Sequence, residues 1–186
     1  MKHNFQLSKI AASLAVMGGV VFVSSQTMAA TPVAGTNISN VATASYTDNT
    51  GTTRTVTSNE VKTVVAQVGS FTLVQDRSVT TVPNGQATMS HILTNTGNGT
   101  DTFTISLADL DNHASGSTFD FASDKFAVYI DKNKDGVPDD SVNLNAPGKT
   151  IELQAGEDVG LVVVATTPST ATTGQFDKLE LTATAS

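Results

Sequence analysis

Short runs in which apolar residues alternate with threonine or other polar residues recur along most of this chain. In Thr102–Leu107, for example, every second residue is large and apolar. Similar runs follow at Phe126–Ile130, Ile151–Leu153, Leu161–Ala165 and Leu179–Thr184. Alternation with a period of two is typical of half-buried strands, and no window after residue 29 shows the spacing of an amphipathic helix. The pattern therefore predicts an all-β protein.

Turn-forming sequences separate these runs at intervals that are typical of a sandwich. Glycine, proline and asparagine cluster at Val82–Gly85, Asn95–Gly99, Ala146–Gly148 and Ala155–Gly156. Short strands divided by such turns every 8–12 residues or so favour two packed antiparallel sheets. We expect an immunoglobulin-like antiparallel β-sandwich over residues 69–186. Its most apolar run, Leu161–Ala165, predicts a strand that is buried on both faces.

Residues 30–68 are predicted to form an N-terminal β-hairpin arm. Two strand-like segments, Asn40–Thr47 and Thr53–Val68, flank the turn signal Asp48–Gly51. Apart from Tyr46, the apolar residues of the arm are small. Because a two-stranded hairpin is marginal in water, the arm should pack on another element. That element could be its own sandwich or another copy of the chain, and the sequence leaves both open.

The N-terminus has the three parts of a secretory signal peptide. Lys2 and Lys9 precede the apolar stretch Ile10–Val23, and small residues follow at Thr27 and Ala29. We predict a signal peptide over residues 1–29, cleaved after Ala29. The apolar stretch is shorter than the roughly 20 residues of a membrane-spanning helix, which argues against an anchor. The mature chain is expected to be secreted, extracellular or at the cell surface, without membrane insertion.

Composition excludes several classes of function. Removing Lys2 and Lys9 with the signal peptide lowers the formal net charge from −7 to −9. Such an acidic chain is a poor ligand for nucleic acid, whose binding depends on phosphate contacts. The absence of cysteine excludes disulfides, thiol catalysis and cysteine-ligated zinc. Sugar-binding sites usually expose aromatic residues, and a chain with no tryptophan and two tyrosines offers few of them, which argues against a glycan site.

Three segments resemble immunoglobulin-like modules of secreted bacterial "conserved repeat" surface proteins. These are Ala34–Ala44, the Asn-Thr-Gly-Asn turn within Leu93–Phe103, and Leu153–Glu157 with the strand and Thr166–Pro168 after it. The resemblance implies an extracellular sandwich without catalytic residues. Chains of that family usually carry many modules, whereas this one has a single module and a hairpin. The hairpin looks like the closing strands of a preceding module.

The segment Asp131–Asp140 has the spacing of a calcium-binding loop. Oxygen ligands are predicted from Asp131, Asn133 and Asp135, and from the backbone carbonyl of Val137, with a glycine between the last two. An EF-hand would have a glutamate where this chain has Val142, so Asp139 or Asp140 is expected to supply the remaining ligand. The alternative interpretation is a solvated acidic turn without a metal.

The sequence shows no nucleophile paired with an oriented histidine and carboxylate, so we expect no catalytic residues and no enzyme. We interpret His91 as a packed strand residue, and Asp109, Asp111 and His113 as a polar loop rather than a metal site. The leading hypothesis is a structural subunit that self-associates by strand complementation. This mode of assembly is similar to that of pilins and TasA-like fibre proteins. The alternative is a calcium-stabilised adhesive or protein-binding module that acts as a monomer.

Overall fold

The computed structural model describes residues 31–110 and 118–186. The predicted signal peptide, Asp111 and His113 lie outside the described residues. Within them the chain forms β-strands and no helix. The strands are β1 (Asn37–Asn40), β2 (Thr43–Thr47), β3 (Thr53–Thr57), β4 (Val61–Val64), β5 (Phe71–Val74), β6 (Gln86–Asn95), β7 (Asp101–Asp109), β8 (Phe126–Asp131), β9 (Ile151–Leu153), β10 (Asp158–Thr166) and β11 (Leu179–Ala185).

Strands β5 to β11 form a sandwich of two antiparallel sheets. One sheet has the order β5-β6-β10-β8 and the other the order β11-β7-β9. Every pairing between neighbouring strands in these sheets is antiparallel. This arrangement confirms the predicted all-β, immunoglobulin-like sandwich, and each of the five alternating runs lies in a strand.

The core consists of the inward-facing residues of both sheets. Phe103, Leu93 and Leu161 are completely buried, and the ring of Phe103 packs edge-on against that of Phe71. Burying one side chain of this size contributes about 1.5–3 kcal/mol to folding. On β10 the outward-facing Val162 is also completely buried, which confirms the prediction of a strand buried on both faces.

The arm is one long hairpin whose ladder is interrupted once. β2 pairs with β3 around the predicted turn, and β1 pairs with β4. Between the two ladders, Val41 and Ala42 lie opposite three residues, Ser58 to Glu60. The returning strand of the hairpin therefore carries one extra residue, as in a β-bulge. Here the hydroxyl of Ser58 accepts a hydrogen bond from the backbone of Ala42. The bulge explains why four short strands stand where two long ones were predicted.

Candidate functional site

The outer half of the arm, strands β2 and β3, has one apolar and one polar face. Ala44 is paired with Val56, and Tyr46 with Arg54. Because directly paired residues share a face of a hairpin, these four side chains form one surface. We call it the apolar face of the arm; Arg54 is its one charged member. The opposite face consists entirely of threonine and serine side chains.

Among the described residues, nothing covers the apolar face of the arm. Every residue of β1 to β4 is exposed. Tyr46 is 57% exposed and Val56 is 55% exposed, and Ile38 and Val61 in the inner half are exposed to a similar degree. A hairpin in this condition leaves the apolar surface it could bury in contact with water, so it is marginally stable alone.

The side chain of Asn98 fixes the root of the arm to the sandwich. Asn98 lies in the turn between β6 and β7 and is 6% exposed. Its Nδ2 donates to the carbonyl oxygens of Pro32 and Ala66 at 3.2 and 3.0 Å, and its Oδ1 accepts from the N–H of Val68 at 2.7 Å. One amide therefore holds both the chain that enters the arm and the chain that leaves it.

The turn at the tip of the arm is organised by Asp48. Its Oδ1 accepts hydrogen bonds from the backbone and hydroxyl of Thr50 and from the N–H of Thr52. Its Oδ2 accepts from Nε of Arg54 at 3.1 Å. These bonds, led by that of the Thr50 hydroxyl, lower the pKa of Asp48 from 3.8 to about 2. The tip is thus a defined structure although it is exposed.

A cleft of about 1170 Å³ opens between the two sheets, along β6 and β11. β5 pairs with β6 only over Ile92–Asn95, so within the described residues the stretch Gln86–His91 has a strand partner on one side only, β10. β11 is also an edge strand, with β7 as its single neighbour in the described part of the chain. Apolar side chains of both sheets line the cleft, namely Leu73, Met89, Leu107, Val163, Leu179 and Leu181.

Side chains rather than a strand cover the unpaired edge of β6. Nε of Arg77 donates to the carbonyl oxygen of Ser90 at 3.2 Å, and the hydroxyl of Thr81 donates to the carbonyl oxygen of Gln86 at 3.4 Å. No backbone-to-backbone hydrogen bond joins the exposed segment 75–80 to this part of β6, both described in full, although the backbone of Gln75 bonds to the side chain of His91. An incoming strand would therefore displace side-chain contacts, not a β-ladder.

Three carboxylates meet at the end of the cleft that Asp177 lines, which we call its mouth. Oxygen atoms of Asp109, Asp120 and Asp177 lie within 4.8 Å of one another. The N–H of Phe121 donates to Asp109 and Asp177 at 2.8 and 2.9 Å. Burial raises the pKa of Asp177, and the neighbouring Asp109 and Asp120 raise it further. The three carboxylates outnumber Lys178, the basic residue that follows Asp177 and also lines the cleft, so the mouth of the cleft favours a positively charged partner.

The predicted calcium loop is a compact turn that follows β8. Asp131 is 1% exposed, and its two carboxylate oxygens accept from the N–H groups of Asp135 and Gly136 at 3.1 and 2.9 Å. Oδ1 of Asn133 accepts from the N–H of Asp135, and Oδ1 of Asp135 accepts from that of Val137. The predicted side-chain ligands at the first three positions are thus held by amides of their own loop.

Asp139 and Asp140, the two candidates for the remaining ligand, differ in position. Asp139 folds back so that its Oδ2 accepts from the N–H of Lys132, near the start of the loop. Asp140 instead accepts from the N–H of Val142, in the chain that leaves the loop. Of the two candidates, Asp139 is the one whose carboxylate lies near the start of the loop.

The donor set of the loop fits calcium in its chemistry, because calcium prefers several hard oxygen ligands. An ionised carboxylate has about four acceptor positions, so the amide bonds leave capacity for a cation. The loop carboxylates lie farther apart than those of Asp109, Asp120 and Asp177, which are the one such group among the described residues. Calcium at this loop stays a prediction.

The loop is attached firmly to the sandwich. Nζ of Lys134 lies 2.6 Å from Oδ2 of Asp158, at the start of β10. A side chain at Gly160 would place its Cβ 2.2 Å from the carbonyl oxygen of Asp131. The strand approaches the loop this closely only because residue 160 is a glycine.

His91 is half-buried on β6, as expected of a packed strand residue, and it lines the cleft. Burial lowers its pKa from 6.5, and the nearby charge of Arg77 acts in the same direction.

The sequence did not reveal the acidic cluster or the cleft. Asp109, Asp120 and Asp177 come from three separate parts of the chain and share no motif. The cleft exists because β5 ends at Val74, where the polar run Gln75–Ser78 begins and Gln75 takes a positive φ of 95°.

Comparisons with known proteins do not assign the chain to a family. No family model matches the sequence, and searches of curated proteins and of solved structures give no match. Among the described residues, no helix has the length and apolar character required to cross a membrane.

Proposed function

We propose that this protein is an extracellular structural subunit that assembles into a fibre or a surface layer through its arm. The observation that carries the proposal is the exposure of all four strands of the arm, including its apolar face. The predicted signal peptide and the resemblance to secreted surface modules support the extracellular location.

Strand complementation is the mode of assembly that this arm supports best. A strand that adds to the sheet of a neighbouring copy gains main-chain hydrogen bonds and buries alternate side chains in pockets. Such a contact joins two different surfaces, and it extends into an open filament where the rotation does not close into a ring. Contacts of this kind can hold an extracellular polymer together without disulfides. A polymer of this chain would need such contacts, because the chain has no cysteine.

Deleting residues 31–68 tests the proposal. The deletion removes no residue of the buried core, so the sandwich should stay folded and monomeric. The intact protein should form assemblies whose mass in light scattering rises with concentration and which electron microscopy shows as regular polymers. An intact protein that remains monomeric at every concentration tested would contradict the proposal, and a truncated chain that unfolds would show that the arm belongs to its own sandwich.

The second candidate function is a calcium-stabilised adhesive or protein-binding module that acts as a monomer. The geometry of the loop favours it, because the side chains of Asp131, Asn133 and Asp135 are oriented by backbone amides before any ion binds. This candidate predicts a calcium-dependent melting temperature together with no self-association.

A further inference from the structure

We propose that the cleft between β6 and β11 receives the apolar face of the arm from a second copy of the chain. This inference rests on the proposed assembly function and assigns the surface on which the arm docks. Three features support the assignment: the positions of arm and cleft on the sandwich, their charges, and the unpaired strand edge at the cleft.

The root of the arm and the cleft lie toward opposite ends of β6. Asn98, which holds the root, follows the C-terminal end of this strand, whereas the cleft flanks its N-terminal part, Gln86–His91. At about 3.3 Å per residue, the ten residues of β6 span roughly 30 Å. An arm that leaves one end of a subunit and enters the other end of the next makes a head-to-tail contact, which propagates.

Charge favours the arm over other parts of a second copy. Two basic residues, Arg54 and Lys62, balance two acidic residues, Asp48 and Glu60, so the arm has no formal net charge. The negative charge of the mature chain therefore resides on the sandwich, and two sandwiches repel each other. The neutral arm approaches an acidic sandwich without this repulsion.

The single charged residue on the apolar face matches the acidic mouth of the cleft. The side chain of Arg54 is 60% exposed, although it contacts Asp48. In the docked arm its guanidinium faces the carboxylates of Asp109, Asp120 and Asp177, while Tyr46 and Val56 cover the apolar lining. Arginine is suited to this role because its planar group binds carboxylates with two parallel hydrogen bonds.

The unpaired edge at the cleft has the length of an arm strand. The stretch Gln86–His91 has six residues, and β2 and β3 have five residues each. An arm strand added along this edge would extend the four-stranded sheet and direct every second side chain into the cleft.

Engineered cysteines test the docking directly, because the chain has none of its own. Val56→Cys on the apolar face, combined with Met89→Cys in the cleft, should form disulfide-linked multimers during assembly under mild oxidation. The matched control is Thr55→Cys with Met89→Cys, since residue 55 is adjacent in sequence but lies on the polar face. The control pair should give at least tenfold less linked product. Equal linking by the two pairs would overturn the assignment.

A charge exchange gives a second readout that does not depend on disulfide geometry. Arg54→Glu should raise the critical concentration for assembly about tenfold or more, because it places like charges together. Adding Asp120→Lys, at an exposed position, should restore assembly, whereas Lys62→Glu should have a much smaller effect. Polymers that form normally with Arg54→Glu and without a 56–89 link would refute the cleft as acceptor but leave the proposed function intact. An intact protein that never polymerises would refute both.

Discussion

Replacing Asn98 with alanine should release the root of the arm without unfolding the sandwich. The substitution removes three hydrogen bonds, to Pro32, Ala66 and Val68. At about 0.5–1.5 kcal/mol for each net bond, the root should lose about 1.5–4.5 kcal/mol of stability. The loss is local, because the arm contributes no residue to the buried core.

Amide hydrogen exchange is the assay that resolves such a local loss. The N–H of Gly35 donates to the carbonyl of Val65, and the N–H of Val65 donates to that of Thr36. Both amides report on the root, and their exchange in Asn98→Ala should accelerate about tenfold to a thousandfold, since each 1.4 kcal/mol is a factor of ten. The urea midpoint of the sandwich, followed by circular dichroism, should change little.

Asn95→Ala is the matched comparison within the same turn. Asn95 is completely buried, and its Nδ2 donates to the carbonyls of Gly99 and Leu153, both at 2.9 Å. These bonds join the turn to β9, so this substitution should lower the global midpoint instead. If Asn98→Ala lowers the global midpoint as much as Asn95→Ala does, or leaves exchange at the root unchanged, the separation of arm and sandwich is wrong.

Three further predictions concern the sandwich. Gly160→Ala should destabilise it by several kcal/mol, about 2–4, because the new Cβ meets the backbone carbonyl of Asp131, and chemical denaturation measures this loss. If the loop binds calcium, saturation at 100 times Kd should stabilise the protein by about 2.7 kcal/mol, and Asp135→Ala should abolish the calcium-dependent rise in melting temperature; a wild type that melts identically with and without calcium would exclude the site. Because burial lowers the pKa of His91, the unfolded chain binds more protons than the folded chain below pH 6.5, so the stability of the protein should fall as the pH drops through that value. His91→Gln should flatten this pH dependence in thermal melts. An unchanged slope in the variant would contradict the role of His91.

Most of the sandwich could be predicted from local pattern alone. In β7 and β11 the apolar residues alternate strictly, because one face of each strand packs on the core while the other meets solvent. The turn at the tip of the arm could also be predicted, since Asp48 and Gly51 are typical of a tight turn. What pattern could not predict was the bulge at Ser58, because one extra residue does not alter the composition of a strand.

The remaining features depend on contacts between distant parts of the chain. The turn at Asn95–Gly99 was recognised as a turn, but the hydrogen bonds of Asn98 to residues about thirty and sixty-six positions away follow only from the fold. For the same reason the sequence offered Asp139 and Asp140 as equivalent ligands, although the fold returns only Asp139 to the start of the loop.

The buried amide of Asn98 has a consequence for producing this protein. Asn98, Gly99 and Thr100 match the acceptor triplet for asparagine-linked glycosylation. The nitrogen that would carry the sugar is the one that donates to Pro32 and Ala66, and glycosylation leaves it a single N–H, so at most one of these two bonds could form. Protein secreted from a host that performs this modification would therefore contain subunits whose arms are held less firmly. Thr100→Val removes the triplet at an exposed side chain and keeps the backbone carbonyl that accepts from Gln67.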